Sequence, residues 1–285
     1  MSATKSKGFF GRAMKRVEDP RLIKGIATYV DDLKLPGLLH CMMLRSPYAH
    51  ARINSIKTDA AKAAPGVVAV LTGADVNAKC GLVPCSTPMP EMKAPKHTVL
   101  AGDRVYFVGH PVAVVVAVDR YAARDALDLI DVDYDPLAVV TNPEKALEKD
   151  SPLTHPEFGT NVAYTWSFKN GDLDAAFKQA DRIIKQRMVH QRLTPMAIEP
   201  RGCVASFHAG EGTLTLWTST QIPHLVRTLL PGMIGVPENK IRVVAPEVGG
   251  AFGSKLNLYA EEALCSHLAM RLGAPIKWIE SRREN

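Results

Sequence analysis

The sequence predicts an α+β fold in two halves, and three observations carry that reading. Between Arg16 and about Pro143, short apolar strands alternate with short helices. The stretch 111–136 reads strand, helix, strand. Beyond a polar gap at 148–161, a strand hairpin, a helical stretch, a further strand, a helix and a last strand follow. At 285 residues, with 46% hydrophobic and 22% charged residues, the chain is long enough to bury two cores in an ordinary globular balance.

The first sixteen residues are basic and read as a flexible arm. From there to residue 147, "LLHCMMLRS" (38–46) and "ARINSIKT" (51–58) read as strands. "DAAKAAPG" is a short helix ended by Pro65-Gly66, and "VVAVLTG" (67–73) is a buried strand. Residues 81–97 carry Pro84, Pro88, Pro90 and Pro95, which removes backbone donors and leaves a long loop. "PVAVVVAV" (111–118) is continuously apolar, as a strand buried on both faces must be. "DRYAARDALDLI" then predicts a helix with Asp119 as N-cap and Ala123, Ala126, Leu127 and Ile130 on one face. "DVDYDPL" returns as a strand stopped by Pro136 and closes a β-α-β unit.

Residues 148–161, with two prolines and a glycine, read as a linker. In 162–285, "VAYTWSFKNG" and "RIIKQRMVHQRL" flank a short helix capped by Asp172. "CVASFH" (203–208) and "TLTLWTST" (213–220) form a hairpin around Ala209-Gly210-Glu211-Gly212. A helix runs from about Pro223 to Ile234, and "KIRVVAP" (240–246) is a strand. The helix 258–272 shows a stripe of Cys265, Leu268, Ala269 and Leu272 and stops at Gly273. "PIKWIE" is the last strand.

"APEVGGAFGSK" (245–255) therefore lies between a strand and a helix, where free N–H groups favour an oxyanion. Gly249, Gly250, Ala251 and Gly253 surround Phe252 there, and such a glycine cluster needs a backbone reason. Two nucleotide motifs are excluded. A phosphate loop fails because Ser254 and Leu256 stand where glycine and Ser/Thr are required, and no G-x-G-x-x-G register fits. Glu199 and Arg201 in "IEPRG" suggest a structural ion pair or turn. The five cysteines are scattered without a CxxC pair, as expected for free thiols in a reducing cytoplasm. No apolar run reaches membrane-spanning length, and no aromatic-interleaved basic patch supports nucleic-acid binding; the net charge is +6.

Several blocks, in order, resemble the molybdenum-binding large subunits of the xanthine dehydrogenase, aldehyde oxidase and aerobic carbon monoxide dehydrogenase family. "RVEDPRLIKGIATYVDDLKLPGLLHCMMLRSPYAHARI", "PGVVAVLTGAD" and "VGHPVAVVVAVDRYAARDALDLIDVDYDPL" look like its α/β hammerhead domain, here 17–147. "HQRLTPMAIEPRGCVA", "TSTQ" with "GGAFGSK" at their spacing, and "RLGAPIKWIESRREN" look like the first, incomplete part of its mixed α/β molybdopterin-binding domain, here 162–285. The resemblance implies that Gln221 hydrogen-bonds a molybdenum oxo ligand and that Phe252 packs beside the metal centre. Gly249, Gly250, Ala251, Phe252 and Gly253 would approach the cofactor, with no direct protein ligand to the metal.

It further implies a molybdenum–molybdopterin cofactor in its cytosine dinucleotide form, with 2Fe-2S and FAD carried by small and medium partner subunits. Large-subunit dimerisation and a cytoplasmic location belong to the same expectation. The reaction would be two-electron oxidation of carbon monoxide, an aldehyde or an N-heterocycle with oxygen from water. Leu256 stands where purine-oxidising members tend to carry a glutamate, which disfavours xanthine. Family large subunits are over twice as long, and their C-terminal catalytic glutamate and second active-site loop have no counterpart here. The expected object is an N-terminal portion, inactive alone. The rival expectation is a non-catalytic truncated or split-gene product that only binds partner subunits.

Overall fold

The structure, a computed structural model, describes residues 8–285. The first seven residues of the expected arm lie outside the described residues, and 9–16 are exposed coil around one turn. The elements then follow in chain order. Helix α1 spans Asp19–Ile23, strand β1 Leu39–Arg45, β2 Ala51–Lys57, α2 Asp59–Lys62, β3 Val67–Thr72 and α3 Gly73–Val76. Strand β4 is Arg104–Val105, β5 Pro111–Ala117, α4 Arg120–Leu127, β6 Asp131–Pro136 and α5 Leu173–Gln179. The hairpin β7 Gly202–His208 and β8 Thr213–Thr218 leads to α6 Pro223–Leu229, α7 Pro231–Ile234 and β9 Ile241–Val244. Helix α8 covers Ala260–Leu272 and β10 Ile276–Ile279.

Among the described residues, ten strands form two sheets. The larger has the order β3-β5-β1-β10-β7-β8-β9, and the smaller is β4-β2-β6. The larger sheet crosses the 148–161 stretch without interruption. β1 pairs β10 in parallel, with Leu39 opposite Ile276 and His40 opposite Lys277. β10 then pairs antiparallel to β7. Both halves of the chain therefore share one sheet.

Strand β5 shows why its sequence is continuously apolar. Val114 and Val116 face a core with Met43, Leu216, Leu264, Leu268 and Trp278. Ala113, Val115 and Ala117 face the opposite side, where Ala123, Ala126 and Leu127 of α4 pack. Asp119 caps α4 as expected, its carboxylate accepting from the N–H groups of Tyr121 and Ala122 at 2.8 Å. The cap satisfies two otherwise orphan donors.

Four expectations are corrected. The stretch 111–136 is not a single-sheet β-α-β unit, because β5 lies in the large sheet and β6 pairs β2 in the small one. The helical stretch 223–234 divides at Leu230, since Pro231 cannot donate to a continuing helix. Helix α8 has no single apolar stripe: Ala260 through Ala269 are buried all round, including Glu261, Glu262, Ser266 and His267. A helix enclosed by a sheet and loops has no solvent face to keep polar. Glu199 and Arg201 do not pair with each other; each joins a different network described below.

Outside its helix α5, capped by Asp172 accepting from Ala175 N–H at 3.0 Å, the segment 162–198 holds no helix or strand. Val162, Tyr164, Trp166 and Phe168 recur at every second residue, the spacing of one strand face. Trp166 is nevertheless 69% exposed and Phe168 74%. No helix among the described residues is long and apolar enough to cross a membrane.

Candidate functional site

Strand β8 ends at Thr218 and delivers Ser219, Thr220 and Gln221 to one end of the large sheet. The loop after β9 arrives beside it. Gln221 N–H donates to the carbonyl of Lys255 at 2.9 Å. Gly253 N–H donates to Gln221 Oε1 at 3.1 Å. The second bond fixes the amide: its oxygen is engaged, so its NH₂ is turned to donate. The structure thus brings Gln221 and the glycine loop together across more than thirty residues, from the two edges of one site.

Each glycine has a reason of its own. Gly250 has φ +100° and Gly253 φ +96°, conformations that L-residues with side chains rarely adopt. At Gly249 an added Cβ would lie 2.5 Å from Glu199 Cβ, so close packing excludes it. At Gly253 the space is open. Phe252 is a non-glycine residue at φ 50°. It is also 76% exposed, so the chain accepts backbone strain there to present an aromatic ring to the outside. The Ala251 carbonyl accepts from both the N–H and the hydroxyl of Ser254, closing the turn.

Beneath the loop lies a buried cluster that sequence reasoning missed. Glu199 Oε2 accepts from Ser219 Oγ at 2.7 Å, Gly249 N–H at 2.7 Å and Lys255 Nζ at 2.9 Å. Lys255 Nζ also donates to the Glu199 carbonyl at 2.9 Å. Lys255 is 2% exposed, one of the largest fully enclosed side chains of the protein. The signal available in sequence was the lysine closing the glycine loop; its partner, 56 positions upstream, was not legible. Arg21, on α1, ties Glu247 at the loop's base to the N-terminal segment by an ion pair.

Arg201 belongs to a second network. Its guanidinium donates to Glu280 at 2.9 Å, meets Glu261 at 3.5 Å and lies over the Tyr259 ring at 4.1 Å. Arg45 reaches the same Glu261 at 2.8 Å and Glu284 at 2.8 Å. Burial works against the Glu261 carboxylate, but Arg201 and Arg45 outweigh it and hold its pKa below the usual value. Its neighbour Glu262 has no such cation in contact, and burial pushes its carboxyl up to about 7. Glu262 also caps α8, accepting from Tyr259 N–H at 2.9 Å. The expected oxyanion position at the start of this helix is therefore already filled by a side chain. The glycines lie a full turn and more upstream.

The donors left for an anionic guest are in the loop itself. Among the described residues, the N–H groups of Gly250, Ala251 and Phe252 meet no acceptor. Consecutive free N–H groups on a backbone that turns through left-handed conformations form an anion-receiving concavity. With the Gln221 NH₂ beside them, they suit an anionic, oxygen-rich cofactor. Among the described residues no group of three or more His, Cys, Asp or Glu is placed to hold a metal ion. Cys41 and Cys265 approach to 3.5 Å between sulfurs, both buried as free thiols in the core.

Comparison with known proteins agrees with this architecture. Residues 24–138 match the aldehyde oxidase and xanthine dehydrogenase a/b hammerhead domain, and 154–285 match the molybdopterin cofactor-binding domain. The carbon monoxide dehydrogenase large chain of Afipia carboxidovorans is 42% identical over 96% of this chain and 35% of its own. The nicotinate dehydrogenase large molybdopterin subunit of Eubacterium barkeri is 34% identical over 96% of this chain and 62% of its own. The crystal structure of quinoline 2-oxidoreductase from Pseudomonas putida 86 superposes with a TM-score of 0.90 at 39% identity, over 96% of this chain and 35% of that one. This chain thus spans about a third of the length of most such relatives. It belongs to the family of molybdenum-binding large subunits of the xanthine dehydrogenase, aldehyde oxidase and carbon monoxide dehydrogenase type, carrying the hammerhead domain and part of the molybdopterin-binding domain.

Proposed function

We propose that residues 218–221 and 249–253 form one wall of the cofactor site of a molybdenum hydroxylase. The observation that carries this reading is the row of unpartnered N–H groups at Gly250, Ala251 and Phe252 beside the fixed amide of Gln221. Bound there, the molybdenum–molybdopterin cofactor supplies two-electron oxidation of a small substrate with oxygen from water. The chain supplies position and hydrogen bonds. Gln221 NH₂ donates to an oxo ligand, the loop N–H groups carry partial positive charge toward the cofactor, and the Phe252 ring excludes water from one side. Fixed donors of this kind cost no reorganisation when charge develops.

The substrate is carbon monoxide, an aldehyde or an N-heterocycle. Relatives named for carbon monoxide, nicotinate and quinoline support that range. Leu256, half-exposed beside the loop, offers an apolar surface and no carboxylate. The cytosine dinucleotide form of the cofactor, an iron–sulfur small subunit, an FAD-binding medium subunit, dimerisation of the large subunit and a cytoplasmic site of action complete the proposal. So does the division into 17–147 and 162–285 around a linker at 148–161.

A second reading, a separately encoded or non-catalytic piece that serves by binding partner subunits, is favoured by one observation. This chain amounts to 62% of the Eubacterium barkeri subunit, so the family includes much shorter large-subunit polypeptides. Metal analysis tests the role of this third. Residues 1–285 purified alone are expected to hold far less than one molybdenum per chain and to oxidise nothing. Near-stoichiometric molybdenum in the isolated chain would show that this part holds the cofactor unaided.

A further inference from the structure

Lys255 and Glu199 form an ion pair at 2.9 Å beneath the glycine loop. Both are largely enclosed, with Lys255 at 2% exposure, and a buried ion pair adds little net stability because desolvation offsets the attraction. What the pair does control is the relative placement of three pieces of chain. One carboxylate oxygen of Glu199 holds Ser219, from the end of β8, Gly249, from the start of the loop, and Lys255, from its end. The Lys255 carbonyl in turn receives Gln221 N–H at 2.9 Å and Thr220 Oγ1–H at 3.3 Å. Glu199 N–H returns a bond to the Gly249 carbonyl at 3.1 Å.

We propose that Lys255 and Glu199 are positioning residues that clamp both ends of the glycine loop and the Gln221 backbone, and so set where the loop's free N–H groups and the Gln221 amide point. The proposal rests on the cofactor-site reading for its purpose, but the clamp itself is a property of the chain. The spacing explains why a lysine is used. Its long stem crosses from the loop's end to the Glu199 carbonyl and carboxylate together, each at 2.9 Å, and its ammonium has donors for both. A methionine would fill the volume and supply neither bond.

The test is amide exchange, followed by NMR on residues 1–285, at Gln221, Gly249 and Gly253, whose N–H groups are all bonded within the clamp. In Lys255→Met these three are expected to exchange about 10²-fold faster, while Val204 in β7 and Leu216 in β8 change less than about threefold. Lys255→Arg, which keeps the charge and the donors, is expected to restore most of the protection. Lys277→Met serves as control. Lys277 is also buried, but it donates to the carbonyls of Asp31 and Leu33, so its loss should leave the loop unchanged. If Lys255→Met does not fold, Glu199→Gln is read in its place, with about tenfold faster exchange expected at Gly249. Exchange at the three amides that matches the parent, or that rises only in step with β7 and β8, would overturn the clamp. In an assembled large subunit, molybdenum content separates the two claims. A loosened loop with full molybdenum would keep the clamp and remove the loop from the cofactor site.

Discussion

At the scale of the residue, the site depends on backbone conformations that only certain residues tolerate. Gly253 has open space around it and φ +96°, so an added methyl group meets no atom but forces an unfavourable conformation. Gly253→Ala is expected to cost about 1–2 kcal/mol, read from urea midpoints. No loss would mean that the loop relaxes freely. Glu262 gives the second residue-level prediction. Burial raises its pKa from 4.5 to about 7 in the folded chain. Between those values the folded state keeps a proton that the unfolded state has released. Its contribution is therefore complete below about 4.5 and is lost as pH rises through about 7. Glu262→Gln should flatten the fall in stability between about pH 4.5 and pH 7, by chemical denaturation at each pH. An unchanged slope would place the titrating group elsewhere. Gln221 and the glycines were legible in the sequence because composition marks them: four small residues around one aromatic, and "TSTQ" at a fixed distance. Glu199 was read as a partner of Arg201 because they are close in sequence. The structure separates them: both lie in the irregular stretch before β7, where Lys255 pairs with Glu199 and the two carboxylates Glu261 and Glu280 with Arg201.

At the scale of the element, periodicity located the longer strands and helices, but not the short α1, α3 and β4, nor which strands pair. Strand β5 was recognisable as buried on both faces, and the structure shows α4 on one side and α8 with its neighbours on the other. The stretch 111–136 looked like a β-α-β unit because sequence order gives connection and not sheet membership. Likewise α8 was read as amphipathic from Cys265, Leu268, Ala269 and Leu272, although its carboxylates are also enclosed, Glu262 meeting Thr218 and Glu261 meeting Arg45 and Arg201. Leu264 is fully buried in a core that includes Met43 and Val114 from the first half of the chain and Leu216 and Trp278 from the second. Leu264→Ala is expected to cost about 2–5 kcal/mol. It should lower the unfolding midpoint of β5 and of β7–β8 together, by amide exchange in each. Loss confined to the second half would mean that the two halves unfold independently despite the β1–β10 ladder.

At the scale of the whole molecule, the shared sheet is well packed and the segment 162–198 is not. That segment carries Trp166, Phe168, Ile184, Met188 and Leu193 exposed, together with Arg182, Lys185, Arg187 and Arg192. Brief trypsin treatment is expected to cut there first, before any cut in β7 or β8, because exposed backbone without a ladder opens at little cost. Early cleavage within the large sheet would contradict the packing described. Turnover of the loaded enzyme tests the wall made by Gln221 and the glycine loop. In a large subunit of full family length that contains this chain, assembled with its partners and loaded with molybdenum, Gln221→Ala is compared with the parent at equal metal content. Turnover is expected to fall by about 10²-fold or more, the effect of removing one preorganised donor. Turnover within threefold of the parent at full loading would contradict it and place the oxo contact on another residue.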